Sequence, residues 1–164
     1  WPWLGLNLLT AFIASRVISG FEHIIGQLVA LAALMPMVAS IGGNTGNQTA
    51  ALMIRGLALG QLGPAQLQRM FAKELRIASV NGLLWGSVLG VATLALYQDW
   101  RLGLTLAAAV LFNLWVAAAG GVLIPLTLQR FGRNPVMGSS VMITALTDSA
   151  GFFIFLGLAS IFLV

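Results

Sequence analysis

Charged residues are so rare in this chain that they restrict the environment in which it can fold. Only eight basic and four acidic side chains occur among 164 residues, which is 7%, whereas a soluble domain carries about a quarter. Hydrophobic residues make up 59%, and the mean hydropathy is +0.97. A surface that faces water cannot be covered with so few charges, whereas bilayer hydrocarbon requires apolar side chains and a backbone that is hydrogen-bonded within helices. We therefore expect an all-α integral membrane protein.

The few charges separate five long apolar segments. A helix that crosses the hydrocarbon core, about 30 Å thick, needs about 20 such residues. We predict five transmembrane helices per subunit, at about residues 3–18, 24–54, 77–97, 102–128 and 135–164. Residues 55–76 are predicted to be a cytoplasmic connection, in which residues 64–76 form either a short interfacial helix or an extension of segment three.

Basic residues are divided unequally between the connections. Arg16 and Arg101, each near an acid, lie on one side, whereas the connections after segments two and four hold six basic residues on the other: Arg55, Arg69, Lys73, Arg76, Arg130 and Arg133. Because cytoplasmic loops are rich in Lys and Arg, we expect the N-terminus in the cytoplasm and the C-terminus outside the inner (plasma) membrane. The net charge of +4 is expected to meet membrane lipid rather than nucleic acid.

Asp148 is the only charged residue in segment five. A charge at the centre of a bilayer costs about 2.5–3.5 kcal/mol on insertion scales, and such residues usually face a bundle interior or a water-filled cavity. Thr144 shares its helix face one turn earlier, and Gly151 leaves backbone accessible nearby. A neutral, hydrogen-bonded Asp148 that locks two helices together is the structural alternative. No Lys or Arg of segment five can neutralise it, so a cation from solution is the simpler partner.

A polar stretch interrupts segment two at residues 40–49, which read SIGGNTGNQT. Irregular backbone at this depth is tolerated only inside protein or beside a water-filled cavity. Close helix packing explains Gly42 and Gly46, which form a small-xxx-small pair, but it does not explain the amides of the same stretch. A pore or binding role accounts for both. The residues that share one face by their spacing, and that we expect to contact an ion, are Ser40, Gly43, Asn44 and Asn47.

The candidate ligands all offer oxygen, which favours hard cations over soft transition metals. The chain has no Cys, and its single His23 lies far from Asp148 in the sequence. Mg²⁺ keeps several of its waters and is usually held by one or two carboxylates. Two subunits that each supply one Asp148 therefore suit a hydrated Mg²⁺. The donor set does not rank Mg²⁺ against Mn²⁺, Co²⁺ or Ca²⁺.

No enzyme motif accompanies these polar residues. The sequence has no HExxH, GxSxG or Walker motif and no paired carboxylates, so we expect no catalytic activity. Gly82, Gly86 and Gly90 form two overlapping GxxxG patterns in segment three. This spacing predicts a close contact between helices.

The two polar motifs also resemble those of a known family. Segment two reads MPMVASIGGNTGNQTAALMIRGLALG and segment five reads TALTDSAGFFIFLGLA. Both resemble the transmembrane domain of MgtE magnesium channels, as does the preceding FEHIIGQLVALAALMP. The resemblance implies a homodimer of five-helix subunits in which segments two and five line a central pore. It also implies cytoplasmic N-terminal and CBS domains that gate the pore by sensing Mg²⁺, and we expect those regulatory domains to lie outside this chain.

Carried over by motif position, the resemblance makes Asp148 the pore carboxylate, with Thr144 contributing its carbonyl one turn away. Gly43 and Asn47 match the contributors from segment two. Ser40 stands where some relatives are expected to have Gly. In the family the ion is held largely through its water shell, which is what the chemistry of Mg²⁺ favours.

Two other functions fit part of the pattern. A secondary transporter would use Asp148 to exchange H⁺ or Na⁺ for a divalent ion, with segment two, interrupted by Pro36 and its glycines, as a broken helix. A mere membrane anchor would make no use of the carboxylate. The leading hypothesis is a Mg²⁺-selective channel subunit that conducts passively.

Overall fold

The computed structural model describes residues 1–163 and places nearly all of them in helices. The helices are α1 (Pro2–Ser19), α2 (Glu22–Gln27), α3 (Ala30–Ala58), α4 (Pro64–Tyr97), α5 (Trp100–Arg130) and α6 (Pro135–Phe162). Within residues 1–163 no strand occurs, so the expected all-α fold is confirmed for this range. The predicted end of segment five, Val164, lies outside the described residues.

The structure divides the predicted segment two. The sequence predicts one helix over residues 24–54, whereas the short α2 ends before Leu28, whose backbone is extended at φ −134° and ψ 85°. This conformation breaks the helical hydrogen-bond ladder, because α-helical residues need a ψ near −42°. The long helix α3 therefore begins only at Ala30 and continues to Ala58.

The connection predicted at residues 55–76 is also shorter in the structure, because α4 begins at Pro64. Gly63 is extended at φ −77° and ψ 171°, and Pro64 takes the first helical position, where its missing N–H has no intrahelical partner to lose. The helix then continues for 34 residues, a length of about 51 Å. That exceeds the thickness of the hydrocarbon core, about 30 Å. Residues 64–76 therefore extend segment three rather than forming a separate interfacial helix.

Four of these helices, α1, α4, α5 and α6, are long and apolar enough to cross a membrane. Helix α3 is 29 residues long but is not among the four, because the glycines and amides of residues 42–48 lower its mean hydropathy. The described part of the chain thus has the composition and helix lengths of a multi-pass membrane protein.

Helix α5 lies at the centre of the bundle and packs against α3, α4 and α6. Its fully buried positions carry aliphatic and small side chains, among them Leu106, Ala109 and Ala117, and also the polar side chain of Asn113. By contrast, Ala14 is the one buried residue of α1, and this helix packs mainly against α6. Most of the α1 surface therefore faces outward from the helix bundle.

Glycines bring α4 and α5 into backbone contact. A Cβ built on Gly86 would lie 2.9 Å from the carbonyl oxygen of Ala107, and one on Gly90 would lie 2.9 Å from that of Gly103. A Cβ on Gly82 would meet Leu111. The close helix contact that the GxxxG spacing predicts is therefore confirmed.

Candidate functional site

Helix α3 has one buried apolar face and one exposed polar face. Leu31, Leu34, Val38 and Met53 are buried on the first, where α5 and α6 pack. The second face presents Ser40, Asn44 and Gln48, which are exposed, with Gly43 and Asn47 partly buried at its edge. A helix in contact with lipid should turn apolar side chains outward, so this orientation calls for water or protein on the polar side.

Asp148 lies on α6, 13 residues after the first residue of that helix, Pro135. Its side chain is partly buried, and so is that of Thr144. No hydrogen bond or charge of the described residues acts on its carboxylate. The alternative in which Asp148 locks two helices of one chain together by a hydrogen bond therefore has no contact to support it within residues 1–163.

Helices α3 and α6 meet beside this carboxylate, at Thr147. This residue is fully buried, and its Oγ1 lies 3.6 Å from a Cβ built on Gly43. A Cβ on Gly42 would lie 3.3 Å from Cβ of Thr147. The glycines of α3 thus allow α6 to approach closely, at the position directly before Asp148.

Three carbonyl groups near this contact already accept side-chain hydrogen bonds. Nδ2 of Asn47 donates to the Gly43 oxygen at 2.9 Å, and Oγ1 of Thr147 donates to the oxygens of Ile143 at 2.9 Å and Thr144 at 3.2 Å. Nδ2 of Asn47 uses one of its two N–H groups on Gly43, and Oδ1 of the same amide can accept a hydrogen bond from water. The oxygen atoms of this region are therefore better suited to bind the coordinated waters of an ion than to coordinate the ion directly.

Asn113 of α5 bonds α3 and lies between Gly42 of α3 and Gly151 of α6 behind the polar face, a role that the sequence pattern did not predict. Its side chain is fully buried, and Nδ2 donates to the carbonyl of Val38 at 2.9 Å. A Cβ on Gly151 would lie 2.7 Å from the same Nδ2, and one on Gly42 would collide with it. Gly151 therefore admits the Asn113 side chain instead of leaving backbone open to an ion.

A second buried polar contact joins α3 to α4. Oγ1 of Thr49 donates to Oε2 of Glu74 at 2.8 Å, and both side chains are buried. In the sequence, Glu74 is noticeable only as a single acid between two basic residues, Lys73 and Arg76. Its sequence position does not reveal that it points inward.

A single chain brings only part of the predicted site together. Gly43 lies against Thr147, the neighbour of Asp148, and accepts a hydrogen bond from Asn47, whereas Ser40 and Asn44 are exposed on the outer side of α3. Within residues 1–163 no three His, Cys, Asp or Glu side chains converge on a metal position. The arrangement in one chain is a polar surface with one carboxylate beside it, not a closed cage.

Comparison with known proteins identifies the family of the chain. A family model named MgtE, described as a divalent cation transporter, matches residues 35–158. Proteins named magnesium transporter MgtE from Bacillus subtilis and Thermus thermophilus are 32% and 33% identical to 99% and 98% of the chain. One of the same name from Enterococcus faecalis is 28% identical over 99% of it. The chain spans 36% of the length of each relative. The chain belongs to the MgtE family of divalent cation transporters.

Proposed function

We propose that two copies of this chain form a channel that conducts hydrated Mg²⁺, with Asp148 of each copy facing the shared axis. The observation that carries the proposal is the exposed polar face of α3 next to a carboxylate that has no partner within residues 1–163. A second copy placed over this face would remove Ser40 and Asn44 from lipid and enclose a hydrated path. The names of the relatives, which call them magnesium transporters, support Mg²⁺ as the ion.

Helix α3 is then a fifth membrane-spanning helix, although it is less apolar than the other four. Its 29 residues correspond to about 43 Å, which is enough to cross the hydrocarbon core. Its apolar face is covered by α5 and α6, and its polar face would line the pore rather than meet lipid. Polar residues at membrane depth are tolerated where they line a water-filled cavity.

The ion would be held mainly through its water shell. Two Asp148 carboxylates would supply a formal charge of −2 to match Mg²⁺, and Thr144, Gly43, Asn47, Asn44 and Ser40 would supply carbonyl, amide and hydroxyl oxygens to the coordinated waters. A path wide enough for a hydrated Mg²⁺ need not exclude Mn²⁺, Co²⁺ or Ca²⁺. Measuring how strongly each of these ions inhibits Mg²⁺ flux would rank their affinities for the pore.

Asp148→Asn tests the proposal. The protein is reconstituted in liposomes, and Mg²⁺ entry is followed with a trapped fluorescent indicator under an imposed membrane potential. We expect the flux to fall by about tenfold or more, because a hydrogen bond from a coordinated water to a charged group is worth about 1.5–3 kcal/mol and about 1.4 kcal/mol corresponds to a factor of ten.

Asp99→Asn is the matched control. Asp99 caps the N-terminus of α5 by accepting from the backbone N–H groups of Arg101 and Leu102, and Asn is an equally good cap. This variant loses the same charge but should conduct as the wild type does. Wild-type flux in Asp148→Asn, with the dimer intact, would reject Asp148 as the pore carboxylate. If the wild type itself carried no more Mg²⁺ than protein-free liposomes, the membrane-anchor hypothesis would take the place of the channel.

A secondary transporter coupled to H⁺ or Na⁺ is the alternative. The extended residue Leu28 and the internal Pro36 interrupt the helical region around α3, and discontinuous helices are a common feature of transporters. Single-channel currents that reverse at the Mg²⁺ equilibrium potential at every pH and Na⁺ gradient would exclude coupling. A reversal potential that follows the proton or sodium gradient would exclude the passive channel.

The membrane orientation and the cytoplasmic partner domains belong to the same proposal. The two ends of α4 differ in charge, and the end with Arg69, Lys73 and Arg76 would face the cytoplasm of the cell by the positive-inside rule. The N-terminus would then be cytoplasmic and the C-terminus external, in the inner membrane. Because the relatives are much longer than this chain, N-terminal and CBS domains would attach on the cytoplasmic side and gate the pore.

A further inference from the structure

The outer face of α4 carries three cations in a row, and its own chain supplies no anion to them within the described residues. Arg69, Lys73 and Arg76 line one hollow of about 340 Å³ together with Gln68 and Ala72. Positions four and three residues apart lie on one helix face, within about two turns. We call the three cations the basic stripe.

The one acid in this part of the sequence points away from the stripe. Glu74 is the only Asp or Glu between Arg55 and Gln98, and its carboxylate is buried against Thr49 of α3, from which it accepts a hydrogen bond. Like charges at i,i+4 spacing destabilise a helix. The stripe therefore carries an electrostatic cost that an anion from outside the chain would relieve.

The same helix face becomes apolar directly after the stripe. Val80 and Leu83 follow Arg76 at helical spacing and are 65% and 62% exposed, and Val91 further along is 66% exposed. One continuous surface thus runs from three cations to exposed aliphatic side chains. An anionic phosphate group joined to a long hydrocarbon chain matches both parts.

We propose that this face of α4 is a binding site for an anionic phospholipid. Its phosphate lies in the hollow of the basic stripe, and an acyl chain follows Val80 and Leu83 toward the centre of the membrane. Arg and Lys both bind phosphate, Arg through a fork of parallel N–H donors and Lys as a point charge. The site is separate from Asp148 and does not depend on the proposed function.

The test compares phosphatidylglycerol with phosphatidylcholine, which share acyl chains and differ in net charge. The full chain is purified in mixed micelles, lipid affinity is measured by titration, and thermal unfolding is followed in parallel. We expect phosphatidylglycerol to bind more tightly and to raise the unfolding temperature. In a triple Arg69→Gln, Lys73→Gln, Arg76→Gln variant its affinity should fall by about a hundredfold, since each cation contributes a factor of about five.

A second triple variant controls for net charge. Arg16→Gln, Arg101→Gln and Arg133→Gln remove three exposed cations elsewhere and should leave most of the preference for phosphatidylglycerol intact. Unfolding in phosphatidylcholine alone checks folding, and the stripe variant should be at least as stable there because its like-charge repulsion is gone. Equal loss of affinity in both triple variants would overturn the site, as would equal binding of both lipids by the wild type.

Soluble phosphates distinguish the lipid from a bare anion. Inorganic phosphate and glycerol phosphate, added to protein in phosphatidylcholine micelles, should stabilise the chain far less than phosphatidylglycerol does, because they lack the acyl chain. Stabilisation by glycerol phosphate equal to that by phosphatidylglycerol would overturn the lipid assignment and leave a phosphate site. Binding of an acidic peptide in preference to phosphatidylglycerol would likewise overturn it and make the stripe a protein-docking surface.

Discussion

The contact of α4 with α5 and that of α3 with α6 both depend on glycine, but the glycines serve different purposes. Between α4 and α5, Gly86 and Gly90 allow backbone to touch backbone, with a built Cβ only 2.9 Å from carbonyl oxygens of the opposite helix. Between α3 and α6, Gly42 and Gly151 make room for the polar side chain of Asn113 from α5. The first contact is an apolar seam, whereas the second is a polar junction.

The two contacts have different roles: the seam between α4 and α5 stabilises the bundle, whereas the junction lies on helices that carry the proposed pore residues. Without a strong hydrophobic force between helices in lipid, close van der Waals packing and interhelical hydrogen bonds provide stability. The seam provides the packing, and the junction provides a buried hydrogen bond from α5 to α3, one of the two helices that carry the proposed site. Substitutions in the seam should therefore reduce stability most, and those on the outer polar face of α3 should reduce it least.

Gly86→Leu should have the largest effect on stability. The atoms that a side chain would meet belong to the backbone at Ala107, which cannot rotate aside as a side chain can. We expect a loss of about 3 kcal/mol or more in the free energy of unfolding, measured by denaturant titration in detergent. Gly157→Leu is the control, since nothing lies within 4 Å of a Cβ built there. Equal stability of the two variants would show that the seam opens at no cost.

Gly42→Ala should have the next largest effect, through Asn113. The new methyl group collides with Nδ2 of that side chain, so we expect a loss of about 1–3 kcal/mol. Because the obstacle is a side chain, Asn113→Ala in the same protein should restore part of the loss. A double-mutant cycle measures the coupling, which should reach about 0.5–3 kcal/mol in the direction of rescue. Additive effects of the two substitutions would mean that Asn113 does not occupy the space of Gly42.

Thr49→Val should have a smaller effect, because it removes one hydrogen bond without adding volume. The buried carboxylate of Glu74 would lose the donor at 2.8 Å, at a cost of about 1.5 kcal/mol, the lower value for bonds to charged groups. Thr127→Val is the matched control, since its hydroxyl bonds only the carbonyl of Leu123 within its own helix. Unfolding free energies that fall equally in both variants would show that the contact between α3 and α4 adds nothing.

Features with a local physical cause could be predicted from the sequence. The GxxxG spacing of Gly82, Gly86 and Gly90 predicted the close contact, because small residues one turn apart form a groove on the helix. This groove can accept a neighbouring helix of almost any sequence. The shared face of Ser40 and Asn44 followed from helical periodicity alone. The connection between segments two and three was also expected, and the structure differs only in making it shorter, because α4 already begins at Pro64.

Features that depend on how helices rotate against one another could not be predicted. Asn113 donates to Val38, 75 positions away in the sequence, and nothing local distinguishes it from an amide that faces water or lipid. The inward turn of Glu74 toward Thr49 likewise depends on the placement of α3 against α4. Leu28, the extended residue between α2 and α3, is neither Pro nor Gly, although Gly26 precedes it by two residues. It lies within a run of apolar residues, so the sequence does not indicate that the helix ends there.

Asn44→Ala should have the smallest effect on stability and a distinct effect on conduction. The Asn44 side chain is exposed on the polar face of α3, and surface substitutions usually change the free energy of unfolding by less than about 0.5 kcal/mol. If this face lines the proposed pore, loss of the amide removes a partner for the water shell of the ion and lowers Mg²⁺ flux in liposomes. Gln61→Ala removes an exposed amide in the loop after α3 and should change neither quantity. A loss of stability without a loss of flux would place Asn44 in a packing contact and would contradict the division between seam and pore face. Unchanged flux with unchanged stability would remove Asn44 from the pore, while Asp148 would still be tested by its own variant.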